Sequence, residues 1–228
     1  MLEHLSIEGY SWYNKNMSNN AARAENQQGS HPSIRWTDPS ETTRRAPFNE
    51  REVKSYLLGA LHDGTFSSNK RFRISQKGTE WLEILKGLFK RIGYNSWIYK
   101  EGKDRDVYIL ETLANFLDFR FNPLQCNTTA EKIGYIRGFF DAEGGIPKKN
   151  TDRFYIQLVQ KNKRKLEKLK RMLKTLGIKS GKIHNPSKRV DPDYWRMYIP
   201  ADDQRRFVQE IGSWHPRKIR TLYERKKI

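Results

Sequence analysis

Apolar positions recur at helical spacing over residues 50 to 62 and again over 131 to 142. Each run ends on a carboxylate followed by glycine, at Asp63-Gly64 and Glu143-Gly144. After the first run, Arg71-Phe-Arg-Ile-Ser-Gln-Lys77 alternates polar and apolar residues with the period of a strand. Trp81, Leu82, Leu85, Leu88, Phe89 and Ile92 then return to helical spacing and stop at Gly93. Two short strands are predicted next, at 96–100 and 106–110, followed by a short helix over 111–118.

The second run is followed by the same order of elements. Arg153-Phe-Tyr-Ile-Gln-Leu-Val-Gln-Lys161 alternates, Leu166, Leu169, Met172, Leu173 and Leu176 lead to Gly177, and strands are predicted at 179–185 and 194–199 before a helix at 202–211. The offsets Asp63 to Glu143, Phe72 to Phe154 and Gly93 to Gly177 are 80, 82 and 84 residues. Drift by loop-sized steps alone points to duplication of one αββαββα unit, hence an α+β chain with two related halves. The expected organisation is a polar extension at 1–48, a first repeat at 49–121, a linker at 122–131 with Pro123, and a second repeat at 132–228 ending in a basic tail.

Charge adds a partner to this picture. The net charge is +18, yet residues 1–48 hold five basic and five acidic side chains, so 39 of 44 basic and 21 of 26 acidic residues lie in the duplicated region. An excess that large over one region points to a polyanion. Cys126 is the only cysteine, which rules out an intrachain disulfide and a Cys-based metal cage. No uncharged run of membrane-spanning length and no signal-peptide layout is present, so a soluble, intracellular protein is expected.

The chemistry lies at the two helix ends. A carboxylate at the mouth of a packed helix is costly unless it meets a cation, so a duplicated one suggests two metal-binding ends side by side. Gly59 and Gly138 put minimal side chains where two helices can approach closely. Strand phase supplies a second clue. Arg71, Arg73, Ser75 and Lys77 share one face, as do Arg153, Tyr155 and Gln157, giving polar, cationic surfaces suited to a major groove. Gln76 and Gln160 fall on the opposite, apolar face, toward the helices and their carboxylates.

Ile136-Arg-Gly-Phe-Phe-Asp-Ala-Glu-Gly144 resembles the nine-residue motif of the LAGLIDADG homing endonucleases position by position, and residues 50–228 resemble the monomeric two-repeat kind. In the first copy Gly59 precedes Asp63 by four residues, whereas Gly138 precedes Glu143 by five. Either that helix is one residue short or Leu58 stands in the glycine's place.

The resemblance implies two antiparallel sheets forming a saddle over a long, partly asymmetric DNA duplex, with the two motif helices packed at the centre. It implies metal binding by Asp63 and Glu143, with Mg²⁺ as the usual ion and Mn²⁺ or Ca²⁺ able to take the same sites. It also implies that Gln76 and Gln160 help position metal-bound water, that Lys218 balances charge at the scissile phosphate, and that both strands are cut with short 3′ overhangs. Arg217 and, in the first copy, Arg120 are weaker candidates for that charge.

Further DNA-facing candidates are Lys100, Arg105, Lys161, Lys182, His184, Arg196 and Tyr198, with Lys70, Lys148, Lys149, Lys188 and Arg189 expected at phosphates. A non-catalytic DNA-binding regulator, an RNA-binding intron maturase and a ribosomal-RNA-binding module are the rival readings of the same charge and fold.

Overall fold

A computed structural model describes residues 49–225. The expected extension at 1–48 lies outside the described residues. Helix α1 spans Glu50–Ala60, capped by the Asn49 side chain, and a 3₁₀ turn over Leu61–Asp63 leads into strand β1, Gly64–Phe66. Strand β2 (Phe72–Lys77), helix α2 (Glu80–Arg91), strand β3 (Ser96–Lys100) and strand β4 (Val107–Thr112) follow. The second half opens with α3 (Thr129–Glu143), whose start is a capping box between Thr128 and Glu131. It continues through β5 (Gly144–Gly145), β6 (Ile156–Gln160), α4 (Lys163–Thr175), β7 (Trp195–Ile199), α5 (Ala201–Glu210) and α6 (Pro216–Glu224).

Two antiparallel sheets result, in the orders β1-β2-β4-β3 and β5-β6-β7. Each packs one face on its own apolar core. The first core centres on Leu57, Ile74, Leu82, Leu85 and Leu110, and the second on Phe140, Leu158, Leu169, Met197 and Phe207. Gly93 and Gly177 close α2 and α4 in the same way. Both have positive φ, and the next residue's N–H reaches back to Phe89 or Leu173.

Helices α1 and α3 meet backbone to backbone. A Cβ on Gly59 would overlap the carbonyl oxygen of Tyr135, and one on Gly138 would overlap that of Tyr56. Each glycine thus receives the carbonyl three residues before the other, which makes Gly59, and not Leu58, the partner of Gly138. The missing residue in the first copy is absorbed by the 3₁₀ turn. Three residues at about 2.0 Å rise after one at about 1.5 Å reach roughly the height of five α-helical residues. Gly134, unremarked in the sequence, repeats the close approach against the Glu52 carbonyl.

Four sequence expectations change. No helix forms over 111–118, because β4 continues through Glu111 and Thr112, which pair with Arg73 and Phe72 on one side and Trp97 and Ser96 on the other. Ala114 and Leu117 still reach the core, but from a turn held by the Thr112 hydroxyl. The strand expected at 179–185 makes one bridge, His184 to Arg196. Two residues lie between Gly181 and His184 where only one lies between their partners Tyr198 and Arg196, and that extra residue breaks the ladder.

The strand expected over 153–161 is shorter, at 156–160. The basic tail is helical at 216–224, with Pro216 in its first turn and Leu222 buried.

Candidate active site

The symmetric crossing of α1 and α3 carries Asp63 and Glu143 to the same end of the helix pair. Both are largely buried. Strand β2, running back from β1, presents Gln76 to the first carboxylate, and the Gln76 amide donates to Asp63 Oδ2. Strand β6 does the same in the second half, where Gln160 Nε2 lies 3.4 Å from Glu143 Oε1. The phase expected of these glutamines is the phase observed. Burial and the nearby Glu143 charge push the Asp63 carboxyl up to about 6, against the hydrogen bond from Gln76. Glu143 is raised too, chiefly by burial.

Lys218 is not a solvated tail residue. It lies on α6 with 2 % of its surface exposed, its ammonium donating to the carbonyl of Phe140 and, at 2.9 Å, to that of Asp141. These carbonyls belong to the last turn of α3, where a cation is favoured by the helix dipole. Burial lowers the Lys218 ammonium to about 8, while Asp141, Asp63 and Glu143 hold it up. One cation is thereby coupled to both carboxylates. Arg120 lies instead in the turn after β4, its backbone N–H bonded to Asp118.

Asp141, which the sequence reading passed over, is buried and accepts from Tyr56 Oη at 2.7 Å, from the backbone N–H of Trp214 at 2.9 Å and from Ser213 Oγ. It ties α1, α3 and the C-terminal segment together around Lys218. Lys165 was also missed. Half-buried on α4, it has its ammonium lowered by burial and held up by Glu143. The available signal was its place five residues after Gln160.

The sheet faces turned away from the cores hold most of the expected contact residues. On the first, Arg71, Arg73, Ser75 and Lys77 share a face with Trp97, Tyr99, Ile109 and Glu111. Glu111 is a surprise there. Its side chain is 8 % exposed, with Arg71 Nη1 at 3.1 Å, Tyr99 Oη at 2.9 Å and Arg73 Nε at 3.2 Å, the last as an ion pair without hydrogen-bond alignment. Burial raises the Glu111 carboxyl, but the hydrogen bonds from Tyr99 and Arg71 outweigh that and hold it below its ordinary range.

Lys100 pairs with Tyr108, which pairs with Gln76, so Lys100 is in the phase of the core-facing side rather than the cationic one. Arg105 lies in the exposed turn between β3 and β4, not on a strand.

On the second sheet, Gln157 pairs with Tyr198 and Val159 with Arg196. Tyr155 meets Tyr198 edge-on, His184 stacks on Tyr198, and the Arg196 guanidinium sits 5.2 Å from the Tyr198 ring. Arg153, Lys161 and Lys182 are exposed beside this cluster, and Lys70, Lys148, Lys149, Lys188 and Arg189 are exposed in turns. The 149–152 turn is held by Arg225, which donates to the carbonyls of Asn150 and Asp152.

Among the described residues no three His, Cys, Asp or Glu side chains converge, so an all-protein cage for a metal is not built. Two carboxylates at one end of the helix pair, each met by a glutamine N–H, offer hard oxygen donors. That set fits Mg²⁺, which is bound through one or two carboxylates and completes its shell from phosphate and water.

Residues 130–212 match the model of the LAGLIDADG-like domain. The chain is 28% identical over 193 residues to the homing endonuclease I-ApeI of Aeropyrum pernix, an alignment covering 74% of this chain and 85% of that protein. Its fold is similar to that of I-DmoI in complex with DNA and Mn, with TM-score 0.56, 22% identity, and coverage of 72% of this chain and 98% of the other. The N-terminal LAGLIDADG domain of DUF199/WhiA is similar as well, with TM-score 0.56, 20% identity, and coverage of 74% and 85%. At these identities the two solved structures bear on the fold alone.

Proposed function

We propose that this chain is a LAGLIDADG-type, site-specific, divalent-metal-dependent DNA endonuclease cutting both strands of a partly asymmetric target. The observation that carries the reading is the doubled site. Asp63 and Glu143 each meet a strand glutamine, and both are coupled to one buried lysine. A merely structural pair of helix ends has no need of that arrangement.

Asp63 and Glu143 would hold the metal, Mg²⁺ by preference. When bound, it polarises the scissile phosphate and offsets its charge. The residues of the chain do the rest. Gln76 and Gln160 direct amide hydrogens at the carboxylates and fix their rotamers. Lys218 keeps a positive charge within electrostatic reach of both without being exposed to solvent. The two cationic sheet faces hold the duplex, with loop lysines on phosphates and strand residues on base edges.

One chain supplies both halves of the site, divided as 49–121 and 132–228. No helix of the described residues is long and apolar enough to cross a membrane, and we place the activity in a reducing, intracellular compartment. The products carry short 3′ overhangs.

Selection of a cleavable sequence from a randomised duplex library, followed by plasmid cutting with Mg²⁺, tests the reading. Wild type cuts the selected site, whereas Asp63→Asn and Glu143→Gln bind it in EDTA and leave it intact. Tight binding by wild type to its preferred sequence with no cleavage in any divalent metal would favour a regulator of this fold over a nuclease.

A further inference from the structure

The two halves of the site differ in how their glutamines are held. Gln160 Oε1 accepts from the backbone N–H of Lys161 at 2.8 Å, which settles the orientation of the amide. Its Nε2 is therefore the atom facing Glu143 Oε1 at 3.4 Å and His62 Nδ1 at 3.3 Å. An amide nitrogen only donates, so His62 Nδ1 accepts, and the ring proton sits on Nε2. There it faces the Tyr135 hydroxyl at 2.8 Å. The ring itself is wedged edge-on against Phe139, with centroids 4.7 Å apart.

Every polar atom of the chain Tyr135–His62–Gln160 thus has a partner, and the chain ends on a site carboxylate. Nothing equivalent exists in the other half. The residue before Glu143, matching His62 before Asp63, is Ala142, which has no polar side-chain atom, and Gln76 reaches Asp63 directly.

We propose that His62 is a positioning residue: supplied by the first half, it braces Gln160 of the second half against Glu143, so the two strand-cutting centres differ in what they depend on. The proposal rests on the nuclease reading for its consequence in catalysis, but the brace itself can be measured without metal or DNA.

Two measurements test it. In metal-free protein, urea unfolding of wild type, His62→Leu, Gln160→Ala and the double variant gives a cycle, and the expected loss in the double variant is smaller than the sum of the single losses. Additive losses overturn the brace whether or not the protein cuts DNA.

On a duplex of the selected target labelled separately on each strand, His62→Leu is expected to slow one strand about tenfold or more while the other stays within about twofold. The same strand is slowed by Gln160→Ala, with no further loss in the double variant. His62→Asn, whose Oδ1 can accept from the Gln160 amide, restores most of the rate. Equal slowing of both strands, or a double variant slower than Gln160→Ala, overturns the proposal. Failure of wild type to cut at all would overturn the nuclease reading and leave the unfolding cycle to decide the brace.

Discussion

Glu111 sits in the middle of the first sheet's cationic face, whereas the residues in the same phase on β6 and β7 include no carboxylate. In the first sheet Arg71 and Arg73 are already engaged by Glu111, with Tyr99 completing the cluster. In the second, Arg196 rests on Tyr198 beside His184, with only rings and nitrogen as partners. One repeated backbone therefore presents two kinds of surface. The first holds its guanidinium groups in set positions and partly neutralises them, which favours discrimination among bases. The second leaves its cation without a carboxylate partner and so unneutralised, which favours affinity. A target read by both should be less tolerant of base changes on the first side.

The helices show the opposite case, since there the two copies are nearly interchangeable. Gly59 and Gly138 each accept the other helix's carbonyl in the space a side chain would need. Gly138→Ala is expected to cost about 3 kcal/mol or to prevent folding, because the obstructing atoms are backbone and cannot rotate away. Gly87→Ala, in the middle of α2 with nothing near the added carbon, should instead stabilise by about 0.5–1 kcal/mol. Urea unfolding followed by circular dichroism measures both, and a mild Gly138→Ala phenotype would mean that the helices can part.

Lys218 belongs to both halves, so its loss should not distinguish them. Lys218→Met is expected to slow nicking of the two strands alike, by roughly 100-fold, since the variant keeps the packing and removes the shared charge. Strand-resolved cleavage reads this, and slowing of one strand alone would assign the lysine to one centre. Glu111→Gln tests the sheet comparison. Non-specific affinity should rise, and the slope of log affinity against log salt should steepen by about one as Arg71 is released for phosphates, while Arg73 keeps Glu101 at 3.7 Å. Discrimination against altered target bases should fall on the first side only. Titrations at several salt concentrations check this.

The smallest effect concerns the cost of the site itself. Asp63 is raised to about 6 by burial and by Glu143, from 3.8. Its neutral form is favoured in the fold, so stability from this group is fully present below pH 4 and is lost as pH rises through 6. In metal-free protein Asp63→Asn should therefore raise stability by about 1 kcal/mol at pH 8 and by little near pH 4. Thermal unfolding in EDTA at the two pH values measures the difference.

Several site features were legible because they depend on short-range pattern. The carboxylates follow from two matched helix ends, and the placement of Gln76 and Gln160 follows from the period of two, which forces every second residue of a strand to one face. The outward phase of Arg73, Ser75 and Gln157 follows from the same rule. The phase of Lys100 was not legible, because a turn of unknown length precedes the next strand and nothing links it to Gln76 until pairing with Tyr108 is seen.

Glu111 begins the short helix expected over 111–118, and only the two flanking strands, which claim the backbone of Glu111 and Thr112, decide otherwise. Asp141 and Lys218 looked like one acid in a motif and one base in a charged tail. Their pairing spans 77 residues between Lys218 and the Asp141 carbonyl.

The amino-acid sequence by itself determined the duplication, the two acid-bearing helices, the register of the glutamines and the cationic character of the duplicated region, because each is a matter of local periodicity or of composition. Tertiary structure alone decided which glycine meets which carbonyl, that a 3₁₀ turn compensates a missing residue, that Lys218 is buried against the last turn of α3 within electrostatic reach of both acids, and that His62 braces the opposite half. Those outcomes depend on contacts between segments far apart in the chain, where burial and hydrogen-bond satisfaction, rather than local spacing, select the partner.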